Sequence, residues 1–306
     1  MRGSNATVKI LIVASGNNKI FSPFVQEQTE IIRALGHELN YFLIKGKGVF
    51  GYLGNWIRYR KHVQYGNYDL IHAHYGVVGL FAGLQWHAPV VVTYVGSDIG
   101  NRLHFLFSFI GALRADYNIF VSKKLRKSMF FLKKESIIPY GVDLKTFYPM
   151  PSGEKNNKIK KVLFAGAFSN KVKNFSLAKE ALSLVKESHE ILELMKGYSR
   201  EEINILMNEA DVLLLTSFRE GSPQVIKEAL ACNLPIVSVN VGDVQEIIQD
   251  ADNCFVVAHD PVEIAEAVET VFKNQRRSKD GRIRVQGLEL MAVAHKILSI
   301  YNRVLE

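Results

Sequence analysis

Short apolar runs alternate with stretches of helical spacing along this chain. Residues 8–13 form an apolar run interrupted only by Lys9, the pattern of a strand buried on both faces. A loop with one glycine, Gly16, follows, and residues 23–35 then recur apolar at helical spacing until Gly36. The alternation continues with strands at 37–43, 70–73, 89–93, 117–121 and 136–138. Between them lie helices at 52–64, 77–86, 102–113 and 122–132. Repeated strand–helix units predict a parallel sheet covered by helices.

Residues 145–158 break the pattern with Pro149, Pro151, Gly153 and a polar run, which reads as a linker. Strands then resume at 161–165, 190–194, 212–216, 235–239 and 255–256. Helices are predicted at 175–188, 200–210, 244–249 and 261–272, besides one that begins near residue 223. The tail, 288–305, has helical periodicity. The predicted fold class is α/β, with two doubly wound, Rossmann-like domains facing each other across a cleft. Domains are expected at 1–147 and 148–287, with a C-terminal helix, 288–306, packing back toward the first. In such sheets ligands bind at the carboxyl ends of the strands.

Composition narrows the class. The chain has 306 residues, 48% hydrophobic and 22% charged, which is enough for two separate cores. It contains no apolar run of 18 residues and no signal-peptide pattern, so a cytoplasmic protein is expected. Two cysteines, Cys232 and Cys254, favour neither a disulfide framework nor a zinc site. The net charge of +8 is uneven: residues 1–149 carry 18 Lys and Arg against 8 Asp and Glu, and the remainder is slightly acidic. That asymmetry points to an anionic partner for the first half. Basic and apolar residues mix at helical spacing in 56–61, 104–110 and 122–134, which suggests an anionic membrane surface. No recognised nucleic-acid motif is present, so nucleic acid is not expected as a partner.

The loop after the first strand lacks G-x-G-x-x-G and no Walker motif occurs, which disfavours a nicotinamide dehydrogenase and excludes a P-loop NTPase. The Asp250-Ala251-Asp252 triplet falls in a polar turn rather than a metal-binding context. His72 and His74 alternate on one strand face, but no third ligand accompanies them; a cleft-lining or structural role is expected. The most informative segment runs from Ser217 to Ala231. It reads as a loop and helix start, with Glu220 and Glu228 separated by seven residues. Ser222 is expected as N-cap, with Pro223 at the first helical position. A helix start favours a bound phosphate, and Gly221 permits close approach. Glu228 would lie roughly 8 Å along the axis, a distance suited to the ribose of a nucleotide whose diphosphate sits at the helix end. A carboxylate there can accept from two vicinal hydroxyls.

Four segments in order resemble the retaining glycosyltransferases of family 4, which have the two-domain GT-B fold. Glu220 and Glu228 match the E-x7-E motif. Ile138-Pro139-Tyr140-Gly141-Val142-Asp143 is similar to I-P-N-G-V-D. Val241 to Ile248 is similar to the G-G-x-x-E-x-I loop. Phe164-Ala165-Gly166 with Lys173-Asn174 is similar to the phosphate loop. The resemblance implies a nucleotide-diphosphate sugar as donor, a saccharide or lipid-linked acceptor, and no cofactor or obligatory metal. It implies that Glu228 binds the donor ribose, that Glu220 lies near the donor sugar, and that Lys173 neutralises the leaving diphosphate. Gly16 would approach the phosphates from the other domain. Gly166, Gly221, Ser222 and Pro223 fall in the donor-binding motifs, and Arg219 is a candidate substitute cation. Asp98 is retained from the family's T-x-H-G-S-D segment.

Two departures stand out. Ala167 follows Gly166 where relatives often carry Arg, and Val95 stands where the His of T-x-H-G-S-D is expected. The expected function is retaining hexosyl transfer in bacterial cell-surface polysaccharide synthesis, in the cytoplasm or peripherally at the inner membrane face. The alternatives are a partner-dependent, non-catalytic binding subunit and a sugar-nucleotide epimerase on the same fold.

Overall fold

The computed structural model describes residues 7–16, 21–46, 48–96, 102–129, 132, 134–151, 159–195 and 197–306. Contacts divide the chain into two compact units, 1–141 with 290–306, and 142–289. The sheet of each is parallel, and each has its own hydrophobic core.

In the first unit the strands are β1 (Lys9–Ser15), β2 (Glu38–Ile44), β3 (Leu70–His74), β4 (Val90–Tyr94), β5 (Tyr117–Phe120) and β6 (Glu135–Ile137). Their order is β2-β1-β3-β4-β5-β6. β3, β4 and β5 are buried at every position, and β4, with Val90, Val91 and Val92 in succession, shows no alternation of apolar and polar residues. The helices are α1 (Pro23–Ala34), α2 (Gly48–Gly66), α3 (Gly76–Ala82), α4 (Arg102–Arg114) and α5 (Lys123–Ser128). Right-handed crossovers put α2 to α5 on one face of the sheet and α1 on the other. Tyr52, Trp56 and Tyr59 of α2 pack on Phe81 of α3, and Gly111 of α4 lies so close to α3 that a Cβ would meet Leu80 N at 2.8 Å.

Several helices depart from the expected bounds. α2 begins at Gly48, four residues early. α3 stops at Ala82 because Gln85 folds the next turn, its Oε1 accepting from the amides of His87 and Ala88. α5 is capped by Ser122, whose Oγ accepts from Leu125 N, and ends at Ser128 rather than 132. The C-terminal helix, Leu290–Leu305, buries Leu290, Val293, Ala294, Ile297, Ile300 and Tyr301 in the first unit.

The second unit contains β7 (Lys160–Phe164), β8 (His189–Glu193), β9 (Val212–Leu215), β10 (Ile236–Val239) and β11 (Cys254–Val257). Their order is β11-β10-β9-β7-β8. Its helices are α6 (Phe175–Ser183), α7 (Arg200–Glu209), α8 (Gln224–Ala231), α9 (Val244–Ile248), α10 (Pro261–Asn274) and α11 (Gly281–Arg284). α6 ends five residues before the expected 188; the amide of Lys186 donates instead to Glu269. The division falls between Gly141 and Val142, earlier than the expected 147/148. Val142 N donates to Leu288 O, and Phe147 is fully buried in the second core, so 142–147 are structural parts of that unit. Among the described residues no helix is long and apolar enough to cross a membrane.

Candidate active site

The carboxyl ends of β7 and β9 each lead into a loop, and the two loops are stitched together. Phe218 N donates to Val172 O at 2.9 Å. Thr216 Oγ1 is 3.0 Å from the carbonyls of both Lys173 and Asn174. Residues 171–173 form a 3-10 turn, and Asn174, at φ +54°, turns the chain into α6. Lys173 is thereby aimed at the second loop, where its Nζ lies 2.8 Å from Glu220 Oε1. Ser217 Oγ donates to the same oxygen at 2.8 Å. Gly166 makes room for this arrangement. At φ +153° it holds a backbone that a side chain strains, and a Cβ there would sit 2.7 Å from Lys173 Cγ.

Glu228 lies on α8 and is 3% exposed. Its Oε1 accepts from Arg200 Nη2 at 2.6 Å, and the guanidinium stacks 4.6 Å from the Phe147 ring. The two motif carboxylates therefore each pair with a different cation. Arg200 escaped the sequence reading, although a signal existed. It occupies the first position of α7 behind the Ser199 capping box, where the helix dipole disfavours a cation.

Ser222 does not cap α8, contrary to the sequence expectation. The helix begins at Gln224, with Pro223 at the N-cap and no side-chain cap. Ser222 Oγ instead donates to Asp243 Oδ2 at 2.6 Å, a charge-assisted bond that a weaker amide contact does not match. Gly242, at φ +58°, comes so near Gly221 that a Cβ would lie 2.8 Å from its carbonyl oxygen. Gly242 and Asp243 thus fix the 221–223 loop from below. Behind it Lys227 is fully buried and donates to Gln224 Oε1 at 2.8 Å. Burial pushes its ammonium down to about 8, against the charges of Asp243 and Glu228. Burial likewise raises Asp243, opposed by Lys227 and the Ser222 hydroxyl. His259, also unforeseen, donates from Nε2 to Ser217 O at 3.1 Å.

Arg219 is exposed on the same loop as Glu220. Gly16 belongs to the first unit; its amide donates to Ile44 O at 2.8 Å, and a Cβ would meet Leu43 Cβ at 2.5 Å. Packing against β2 accounts for that glycine, and its amide is not free to bind phosphate. Asp98 lies outside the described residues. Val95 is partly buried against the first core. Asp252 of the Asp-x-Asp triplet pairs with Arg276 and accepts from Lys279 N, which accounts for its carboxylate.

His72 and His74 have structural partners. Their rings stack with centroids 4.4 Å apart. His72 hydrogen-bonds Tyr301 at 2.6 Å and Thr93 at 2.8 Å; His74 bonds Tyr140, the residue replacing the family's Asn, at 2.8 Å. Both are fully buried, and burial lowers both, His74 to about 3.

Two doubly wound parallel sheets form the GT-B fold. Family models agree, one described as Glycosyltransferase Family 4 over residues 15–146 and one as Glycosyl transferases group 1 over residues 193–274. An uncharacterized glycosyltransferase of Methanocaldococcus jannaschii is 25% identical, over 83% of this chain and 79% of its own. A putative teichuronic acid biosynthesis glycosyltransferase of Bacillus subtilis is 24% identical, over 65% of this chain and 60% of its own. Sucrose-phosphate synthase from Thermosynechococcus elongatus superimposes with a TM-score of 0.82, at 17% identity, over 97% of this chain and 99% of its own. Anabaena HepE in complex with UDP gives 0.74, at 15% identity, over 97% and 100%. The two family models and these relatives support a group 1, family 4 type of glycosyltransferase.

Proposed function

We propose that the protein transfers a hexose from a nucleotide-diphosphate sugar to a saccharide or lipid-linked acceptor in cell-surface polysaccharide synthesis, retaining the anomeric configuration. The observation that carries the donor assignment is the Lys173–Glu220 pair, held at the joined carboxyl ends of β7 and β9. The crystallised UDP complex of the structurally similar HepE supports a nucleotide ligand.

In this reading the diphosphate lies against the 166–174 loop and the 221–223 loop. Lys173 offsets the charge that grows on the departing diphosphate, which is where a point charge contributes most. Glu220 holds that ammonium in place and faces the donor sugar. Glu228, steadied by Arg200, accepts from the ribose hydroxyls. The donor C1–O bond breaks, the acceptor oxygen bonds C1 on the same face, and the acceptor proton passes to the leaving phosphate oxygen. No protein nucleophile is required. No cofactor or metal is assigned a step.

Turnover of uridine, guanosine and adenosine diphosphate sugars, with and without acceptors, tests this reading. Nucleotide binding without turnover under any acceptor condition supports a second reading, a binding subunit that depends on a partner chain. Val95 favours that second reading, because its side chain cannot hydrogen-bond where relatives place an imidazole.

A further inference from the structure

The turn after α3 and the amino ends of β4 and β5 frame an open cavity of about 390 Å³. It lies at the other end of the sheet from the carboxyl ends, where such sheets bind their substrates. Its lining includes Gly83, Gln85, Trp86, Val90, Arg114 and Asp116. Hydrogen bonds fix these walls and leave other polar groups unspent. Gln85 uses both ends of its amide on the backbone. Its Oε1 accepts from His87 N and Ala88 N, and its Nε2 donates to Ala88 O at 2.7 Å. Trp86 sits within that clamped turn and is 85% exposed. Arg114 donates from Nε to Gly83 O at 3.3 Å, and Asp116 Oδ2 accepts from Val90 N at 2.7 Å. Among the described residues Arg114 and Asp116 form no ion pair, so the terminal nitrogens of the one and Oδ1 of the other have no protein partner. The Trp86 indole likewise has no ring or hydrogen-bond partner among them.

The chemistry of this lining selects its ligand. It carries one cation, one anion and one large aromatic face. A phosphate drawn to Arg114 would also meet the Asp116 carboxylate. A wholly apolar ligand would strip water from both charges with nothing in return. A sugar ring satisfies all three groups. Its C–H face covers the indole, its hydroxyls donate to the carboxylate, and its oxygens accept from the guanidinium. The cavity volume is within the range of small-molecule sites, about 300–1,000 Å³. We propose that this cavity is a second carbohydrate site, which holds a neutral hexose unit of a glycan on Trp86 between Arg114 and Asp116. These residues hold the sugar and carry out no bond making or breaking. The proposal does not rest on the donor reading, since glycan binding is measured without nucleotide.

The test is binding of the full chain to an array of neutral hexose oligosaccharides without nucleotide, followed by fluorescence titration of those that bind. Wild type is expected to bind a subset of the array, and its tryptophan emission should shift to the blue as the sugar covers Trp86. The other tryptophan, Trp56, is half-buried against the first core. Trp86→Ala should weaken binding at least about tenfold. Trp86→Phe keeps an aromatic face, so it should weaken binding only about two- to threefold while abolishing the blue shift. Asp116→Asn can still accept from Val90 N, and should weaken binding about fivefold by losing the charge. Trp86 is exposed, so an unchanged melting temperature is expected for both of its variants. Binding to no glycan overturns the proposal. So does glycan binding that Trp86→Ala leaves unchanged, because it then belongs to another part of the chain. A blue shift produced by UDP and by no glycan overturns it as well.

Discussion

Lys173 Nζ lies 2.8 Å from Glu220 Oε1, across 47 residues of sequence. The contact joins the loops that follow β7 and β9 in a single pair, with Ser217 as third member. Neither side chain is fully buried, so the pair is not a stability device of any size. Its consequence is positional: the ammonium is already extended toward the loop before a ligand arrives. Lys173→Ala should therefore lower kcat by about 100- to 1000-fold, the scale of losing one stabilising donor, with little change in melting temperature. Steady-state kinetics with the preferred donor check this, alongside a thermal melt.

Gly166→Ala tests the same relationship from the other side. The added Cβ would lie 2.7 Å from Lys173 Cγ and would occupy a strained backbone at φ +153°. Activity should fall as for Lys173→Ala, and stability should fall by about 1–3 kcal/mol. Chemical denaturation measures the second quantity separately from the first.

Asp243 is a positioning residue, acting through Ser222. Asp243→Asn keeps the shape and weakens the 2.6 Å bond, so donor KM should rise several-fold while kcat changes less. Both Asp243→Asn and Asp243→Ala also strip the fully buried Lys227 of a compensating charge, and each should cost about 3–5 kcal/mol. Ser222→Ala should reproduce the KM effect without that stability loss.

The buried histidines predict an acid limit. His74 is held neutral, at about 3, by burial, whereas an unfolded histidine titrates near 6.5. Its folded pKa is depressed, so the unfolded state binds the extra proton first. Stability from this group is complete above pH 6.5 and is lost progressively as pH falls toward 3, by about 2 kcal/mol at pH 5. Melting temperatures from pH 8 to pH 5 should fall, and His74→Gln should flatten the slope.

Much of the fold was legible because parallel strands buried on both faces leave apolar runs, as in β9. Helix ends were less legible. The stop of α3 depends on Gln85 folding back on the backbone, which periodicity does not register. The site divided in the same way. Lys173 and Glu220 carried motif signals on two loops, and the structure brings them into contact. Ser222 was read as a cap from local chemistry, but Asp243, 21 residues away, takes its hydroxyl. Arg200 was missed because its partner, Glu228, lies on another helix, and its place at the start of α7 marks it only as a cation out of favour there.

The most direct test of the donor assignment is calorimetric titration of wild type and Glu228→Ala with a nucleotide-diphosphate sugar that wild type turns over. Glu228 is the carboxylate assigned to the ribose, and losing its hydrogen bonds should weaken affinity by about 1.5–3 kcal/mol, roughly 10- to 150-fold. Arg200→Ala, which removes the partner but leaves the carboxylate, should weaken it less. A Glu228→Ala protein that folds normally and binds the nucleotide as tightly as wild type would contradict the account.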